Sequence, residues 1–301
     1  MSELNDSLIT SINPFIDRRY VPPTSLQQAC LFDTMILTRL AKIAREHPED
    51  MNLFIDELVA IDAVLYIPET ILAETAGNQG MTMERYRDLH QPLFEKLSEN
   101  VQVRVLSFEM IYDILATTMD QSAQAFLKFR LLNVHLNQTN KTIQHEVERA
   151  ASPDEIFHAL SQQKKDLGER ILHLLAFVLL EDGVPDVRLF SDEEKGVYNV
   201  RRLLSADEKV LALLHIQNQP SFLATYQLES FDCLLCSILN KQRDAWNEEE
   251  MAIFLSKHRE GKHLHRKIRF SYSVRDVDQR QLDNQELVQF VCRNEEFRIT
   301  F

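Results

Sequence analysis

Cys30-Leu31-Phe32-Asp33-Thr34-Met35-Ile36-Leu37 is the stretch on which the fold turns. An apolar run stops at a carboxylate, and beyond it Met35, Ile36, Leu40, Ile43 and Ala44 recur at helical spacing. A buried strand feeding an amphipathic helix is half of a strand–helix–strand unit. The same order returns in Val64-Leu65-Tyr66-Ile67-Pro68-Glu69-Thr70-Ile71-Leu72-Ala73-Glu74 and in Val187-Arg188-Leu189-Phe190-Ser191-Asp192-Glu193-Glu194. His47-Pro48 ends the first helix, because the residue before a proline is driven out of helical geometry. A second helix is expected over 51–61, and Pro68 suits the first turn of the next one. Residues 101–106 read as a further strand. The very apolar stretch 167–181 reads as a helix hydrophobic nearly all round, hence buried against the sheet, with Asp182-Gly183 as its stop. Short apolar runs alternating with helices predict an α/β fold built on a parallel sheet.

Each of these runs delivers an acid to its end. In an open α/β sheet, ligands bind outside the carboxyl ends of the strands. Asp33, Glu74, Asp166 with Glu169, and Asp192 therefore predict one acidic pocket. Several carboxylates in one place repel unless a cation offsets them, and hard divalent ions such as Mg2+ or Mn2+ take oxygen ligands of this kind. Every acid also has a purely structural reading. Asp33 can cap the helix that follows it, and Glu69 is accounted for by the helix dipole. Glu74 lies five positions later, turned roughly 140° away, so Glu69 and Glu74 do not serve one site and Glu74 is preferred. Asp166-Leu167-Gly168-Glu169 and Ser191-Asp192-Glu193-Glu194 both have capping-box spacing. Glu169 is assigned as ligand and Asp166 as cap or as a group behind the ligands, while Asp192 is preferred to Glu193 for its place after the strand.

With 301 residues the chain can bury a sizeable core, and 6 glycines and 9 prolines fit a mainly helical protein with few tight turns. No apolar stretch approaches the ~20 residues of a membrane span, and the start Met1-Ser2-Glu3-Leu4-Asn5-Asp6 lacks a secretory pattern, so a cytoplasmic location without membrane contact is expected. The net charge of −13 argues against nucleic acid until its distribution is read. Between Lys257 and Arg275 stand seven basic residues and one acid, so this segment carries +6 and the remainder −19. Lys262, Arg266, Lys267 and Arg269 are the candidate phosphate contacts, and Phe270 and Tyr272 are available for stacking. A solvated charged face explains the same residues. Cys233-Leu234-Leu235-Cys236 matches a two-residue cysteine spacing but lies in helical-looking sequence, where two buried thiols are the simpler reading than a redox or zinc site.

Taken together, the run Leu31-Phe32-Asp33-Thr34, the element Ile67-Pro68-Glu69-Thr70-Ile71-Leu72-Ala73-Glu74, the turn Leu167-Gly168-Glu169-Arg170-Ile171-Leu172, and Phe190-Ser191-Asp192 resemble in their order the PIN domain. That metal-dependent nuclease fold occurs in bacterial toxins and RNA-processing enzymes. The resemblance covers roughly 25–200. It implies a PIN-like parallel sheet flanked by helices over 25–205, with a helical insertion near 107–163; the chain itself reads as an irregular segment over 1–24 before that domain and a helical and β appendage over 206–301 after it. It further implies Mg2+ or Mn2+ held by Asp33, Glu74, Glu169 and Asp192, and hydrolysis of phosphodiester bonds in single-stranded or structured RNA, in a toxin, defence or RNA-processing role. The long gap between Glu74 and Glu169 and the appendage depart from a minimal domain of this kind, and a protein partner could dock on either. The alternative is a non-catalytic interaction or scaffolding module whose acids only cap helices. Residues 268–274 and 297–301 alternate with period two and are expected to pair as a small terminal sheet.

Overall fold

The computed structural model describes residues 6–12, 15, 17–77, 80–119, 121–162, 166–259, 267–271, 277–293 and 298–299. In chain order it begins with α1 (Asp6–Ile12), β1 (Gln28–Phe32), α2 (Thr34–Glu46), α3 (Met51–Ala60), β2 (Ala63–Pro68), α4 (Glu69–Glu74), α5 (Met83–Leu89), α6 (Gln91–Ser98) and β3 (Gln102–Leu106). Five helices follow: α7 (Phe108–Thr118), α8 (Ser122–Leu136), α9 (Lys141–Arg149), α10 (Pro153–Ser161) and α11 (Leu167–Glu181). Then come β4 (Val187–Phe190), a π-helical turn at Glu194–Tyr198, α12 (Asn199–Ser205), α13 (Glu208–Leu213), α14 (Gln219–Thr225) and β5 (Tyr226–Glu229). The chain closes with α15 (Phe231–Lys241), α16 (Glu248–His258), β6 (Lys267–Ser271), β7 (Val277–Gln281), α17 (Asn284–Arg293) and β8 (Arg298–Ile299).

Five of the strands form one parallel sheet in the order β3-β2-β1-β4-β5. Every residue of β2 is buried and four of five in β1, which is why these strands read as continuous apolar runs rather than alternating ones. The chain moves outward from β1 to β2 and β3, then crosses to the other side of β1 for β4 and β5. Right-handed crossovers therefore put α2, α3, α5 and α6 on one face and α7 to α14 on the other, while α4, at the carboxyl end of β2, touches both α2 and α11. The packing agrees: α2 meets α3 and α6, while α11 meets β2, β4, α7 and α8. The switch of direction falls between β1 and β4, whose register pairs Phe32 with Phe190, so the residues just after them emerge side by side.

Residues 108–161 form four helices, α7 to α10, with buried faces of their own. Ile111, Leu115, Ala125, Phe129, Leu132, Ile143, Val147, Ile156 and Leu160 are buried, and α7 and α8 rest on α11. The sheet also passes the expected boundary at 205. Tyr226–Glu229, read from sequence as part of a helical stretch, is a strand parallel to β4. A four-residue strand between two helices has no periodicity long enough to betray it. β6 pairs antiparallel with β8, Phe270 facing Ile299, as the two alternating segments predicted, and β7 joins on its other edge. Among the described residues no helix is long and apolar enough to cross a membrane.

Candidate functional site

Asp33 follows the last residue of β1 and caps α2 in extended conformation, its Oδ1 accepting from Ile36 N at 2.8 Å. The Ser191 hydroxyl donates to Oδ2. Asp33 N in turn donates to Phe190 O, so the end of β1 is stitched to the end of β4. Asp192, next after Ser191, accepts from Arg39 Nη1 at 2.7 Å and from Phe231 N at 3.0 Å. Arg39 projects from α2 and lies 4.5 Å from the centre of the Phe231 ring. Asp33 and Asp192 are almost wholly buried.

Glu74 closes the other side. Its Oε2 accepts from Thr34 Oγ1 at 3.1 Å and its Oε1 from Gly168 N at 3.0 Å, which ties the first residue of α2 to the first turn of α11. This contact explains the glycine. A Cβ at Gly168 would overlap Glu74 Oε2 and stand 2.7 Å from Ile71 Cδ1. Glu69 points elsewhere, to an ion pair with Arg18. Glu169, on the same turn as Gly168, is half-buried and lies against Gly196, whose Cβ position is 3.2 Å from its Cγ.

The electrostatics follow from this crowding. Burial drives the Asp33 carboxyl up to about 7; the bonds from Ser191 and Ile36 oppose that, and the charges of Asp192 and Glu169 add to it. Glu169 is also raised, first by burial and then by Asp166 and Glu193. Asp232 belongs to the same group and was not singled out from the sequence. It sits in the first turn of α15, just beyond β5, and burial raises it while Arg259 pulls it down and Asp192 pushes it up. Its signal was the sequence Glu229-Ser230-Phe231-Asp232, an acid soon after a strand, hidden because the strand itself was not legible.

The structure thus brings Asp33, Glu74, Glu169 and Asp192 together at the carboxyl ends of the strands. It does not gather them into one tight shell: among the described residues only His47, Glu49 and Asp50 hold three ligand atoms within 4.8 Å of one another. Protein donors hold the acids apart instead.

Two local readings need correction. Asp166 is no cap: it has left-handed backbone (φ 63°) and makes no side-chain cap bond, whereas a capping residue needs extended backbone. The N–H of Gly168, second residue of the helix, goes to Glu74 from another helix. The Ser191 hydroxyl, expected as the cap of a box, is engaged elsewhere. Ser191 Oγ serves Glu193 N and Asp33, and Glu193 Oε1 accepts from Lys195 N and Gly196 N at the π-helical turn.

Of the basic segment, Lys262 and Arg266 lie outside the described residues, as does Tyr272. Lys267 and Arg269 fall on β6, where the backbone alone is described. Cys233 and Cys236 are buried cysteines on α15, not joined in a disulfide; burial pushes Cys236 well above the ordinary thiol range, which suits a core residue rather than a reactive one.

The donor set fits a hard divalent cation. It is all carboxylate oxygen, and two of its members, Asp33 and Glu169, are held above their ordinary range by burial and by neighbouring carboxylates. A cation is what would offset that cost. Arg39 already supplies one positive charge, at Asp192. No family model, curated protein or solved structure matches the chain.

Proposed function

We propose that this chain is a metal-dependent nuclease of PIN type, working as an endoribonuclease at the carboxyl edge of its parallel sheet. One observation carries the reading: Asp33, Glu169, Asp192 and Asp232 are crowded around the switch point between β1 and β4, where burial and the charges of Asp192 and Glu169 raise Asp33 to about 7. Asp33, Glu74, Glu169 and Asp192 would hold Mg2+ or Mn2+. Such an ion acidifies a bound water and neutralises the charge that builds on a phosphodiester under attack. The protein's part is positional. Ser191 and Ile36 N fix the Asp33 carboxylate, Thr34 and Gly168 N fix Glu74, and Arg39 with Phe231 N fixes Asp192. Burial excludes bulk water around Asp33 and so strengthens every charge interaction there. The RNA strand would be guided by Lys262, Arg266, Lys267 and Arg269.

A specific observation favours a second reading, that of a non-catalytic interaction module. Asp33, Glu74 and Asp192 each accept at least two hydrogen bonds from the protein, as purely structural carboxylates would. A cleavage assay on single-stranded RNA with Mn2+ against a chelator separates the two. Under the nuclease reading wild type cleaves only with metal, and Asp192→Asn binds RNA but does not cut it. Full cleavage by Asp192→Asn, or none by wild type across Mg2+ and Mn2+, would leave the module as the function.

A further inference from the structure

The loop His47-Pro48-Glu49-Asp50 joins α2 to α3 at the far end of α2 from the acids; thirteen residues of helix put it about 20 Å away. One donor atom each from His47, Glu49 and Asp50 falls within 4.8 Å of the other two. Asp50 Oδ2 accepts from His258 Nε2 at 2.9 Å and from Lys257 Nζ at 3.3 Å, both from the end of α16. Among the described residues Asp50 Oδ1 and the Glu49 carboxylate accept no hydrogen bond, so two neighbouring anions stand beside an imidazole without a cation of their own on these oxygens.

The loop is also held in place from several sides. His47 N donates to Ile43 O, Asp50 N to His47 O, and Lys96 Nζ to Pro48 O at 2.7 Å. His258 is the second, independent sign. Its side chain is 1% exposed, enclosed by the rings of His47, Phe54 and Phe254, and aims Nε2 at Asp50 while its Nδ1 has no partner. A buried imidazole that grips one oxygen of a carboxylate is the arrangement by which metal ligands are oriented from behind.

We propose that this corner is a binding site for a divalent transition-metal ion of the Zn2+ class, with His47, Glu49 and Asp50 as ligands and His258 orienting Asp50. Imidazole with carboxylate selects such ions over Mg2+, whose preferred partners are oxygens alone. Three protein ligands leave a position for water or for a group from another molecule. The site is independent of the proposed nuclease chemistry and has a structural consequence. Because His258 and Lys257 end α16, a metal here pins the C-terminal elements to the α2–α3 corner of the sheet domain. Lys257 opposes binding by its charge, but its side chain is 39% exposed and can turn to water.

Zn2+ alone is the probe, titrated into the full chain by calorimetry in a buffer free of chelating anions. Beyond any Zn2+ taken by the acids at the switch point, one equivalent should bind at this corner, and Glu49→Gln and His47→Ala should weaken it by about tenfold or more; His258→Gln should weaken it by about 10- to 100-fold by releasing Asp50. Glu49 is exposed, so its substitution leaves the fold intact and keeps the test valid should His258→Gln unfold. Asp33→Asn should keep the equivalent bound at this corner with wild-type affinity. Lys257→Ala should bind it several-fold more tightly. Unchanged affinity in Glu49→Gln and His47→Ala, or loss in Asp33→Asn instead, would overturn the site, and neither result bears on whether the acids at the switch point cut RNA.

Discussion

Replacing Asp33 by Asn makes a protein more stable at alkaline pH while removing a proposed metal ligand, and the size of the effect can be worked from its surroundings. Burial and two neighbouring carboxylates lift the Asp33 carboxyl from 3.8 to about 7. A group whose folded value is raised favours the folded state while protonated, so its stabilising contribution is complete below pH 3.8 and is lost as pH rises through 7. Between pH 5 and pH 8 the loss amounts to about 3 kcal/mol, at roughly 1.4 kcal/mol per pH unit up to the folded value. Asparagine keeps the acceptor for Ile36 N but cannot accept from Ser191, which costs about 1 kcal/mol at any pH. Asp33→Asn should therefore lie within about 1 kcal/mol of wild type at pH 5 and exceed it by about 3 kcal/mol at pH 8. For a chain of this length that is a rise in melting temperature of about 5 °C. The assay is thermal unfolding in chelator at both pH values, repeated with millimolar Mn2+. Metal should restore the wild type towards the variant by binding the native acids. Parallel pH profiles for the two proteins in chelator would refute the argument that Asp33 bears a strained charge.

Gly168→Ala should displace the Glu74 carboxylate that a Cβ would overlap, lowering stability by about 1–3 kcal/mol and abolishing cleavage, while a neighbouring change such as Arg170→Lys should not; an active variant would detach Glu74 from the site. Arg39→Met removes the cation from buried Asp192 and should cost about 3 kcal/mol in urea unfolding at pH 7. Tyr226→Phe leaves the fully buried His173 without its 2.7 Å partner and should cost about 1–3 kcal/mol, read in the same assay. Neutralising Lys262, Arg266, Lys267 and Arg269 together should flatten the salt dependence of single-strand RNA binding, by about 0.7 in log–log slope for each phosphate no longer neutralised, and equal slopes would remove the segment from the mechanism.

Much of the sheet was legible because its cause is local. β1 and β2 are buried on both faces and so appear as unbroken apolar runs, β4 is broken only by the half-buried Arg188, and the acids that end them are the residues that leave the sheet at its carboxyl edge. α11 was legible for the same reason, being apolar nearly all round from Leu167 to Glu181. β5 was not, since four residues between α14 and α15 carry too little pattern to stand against the helical sequence on either side.

What holds each acid could be learned only from the tertiary structure. Asp192 meets Arg39 across 153 positions, Gly168 gives its N–H to Glu74 across 94, and His258 reaches Asp50 across 208. Local spacing suggested a capping box at Asp166, yet its backbone is left-handed and its side chain makes no cap bond, while the neighbouring Gly168 N–H goes to a carboxylate from another helix. Burial pattern is written into each segment, because a side chain's tendency to leave water depends on that residue alone. A carboxylate's partners and its proton affinity depend on which charges the strand order places beside it, and β3-β2-β1-β4-β5 is a property of the folded chain as a whole.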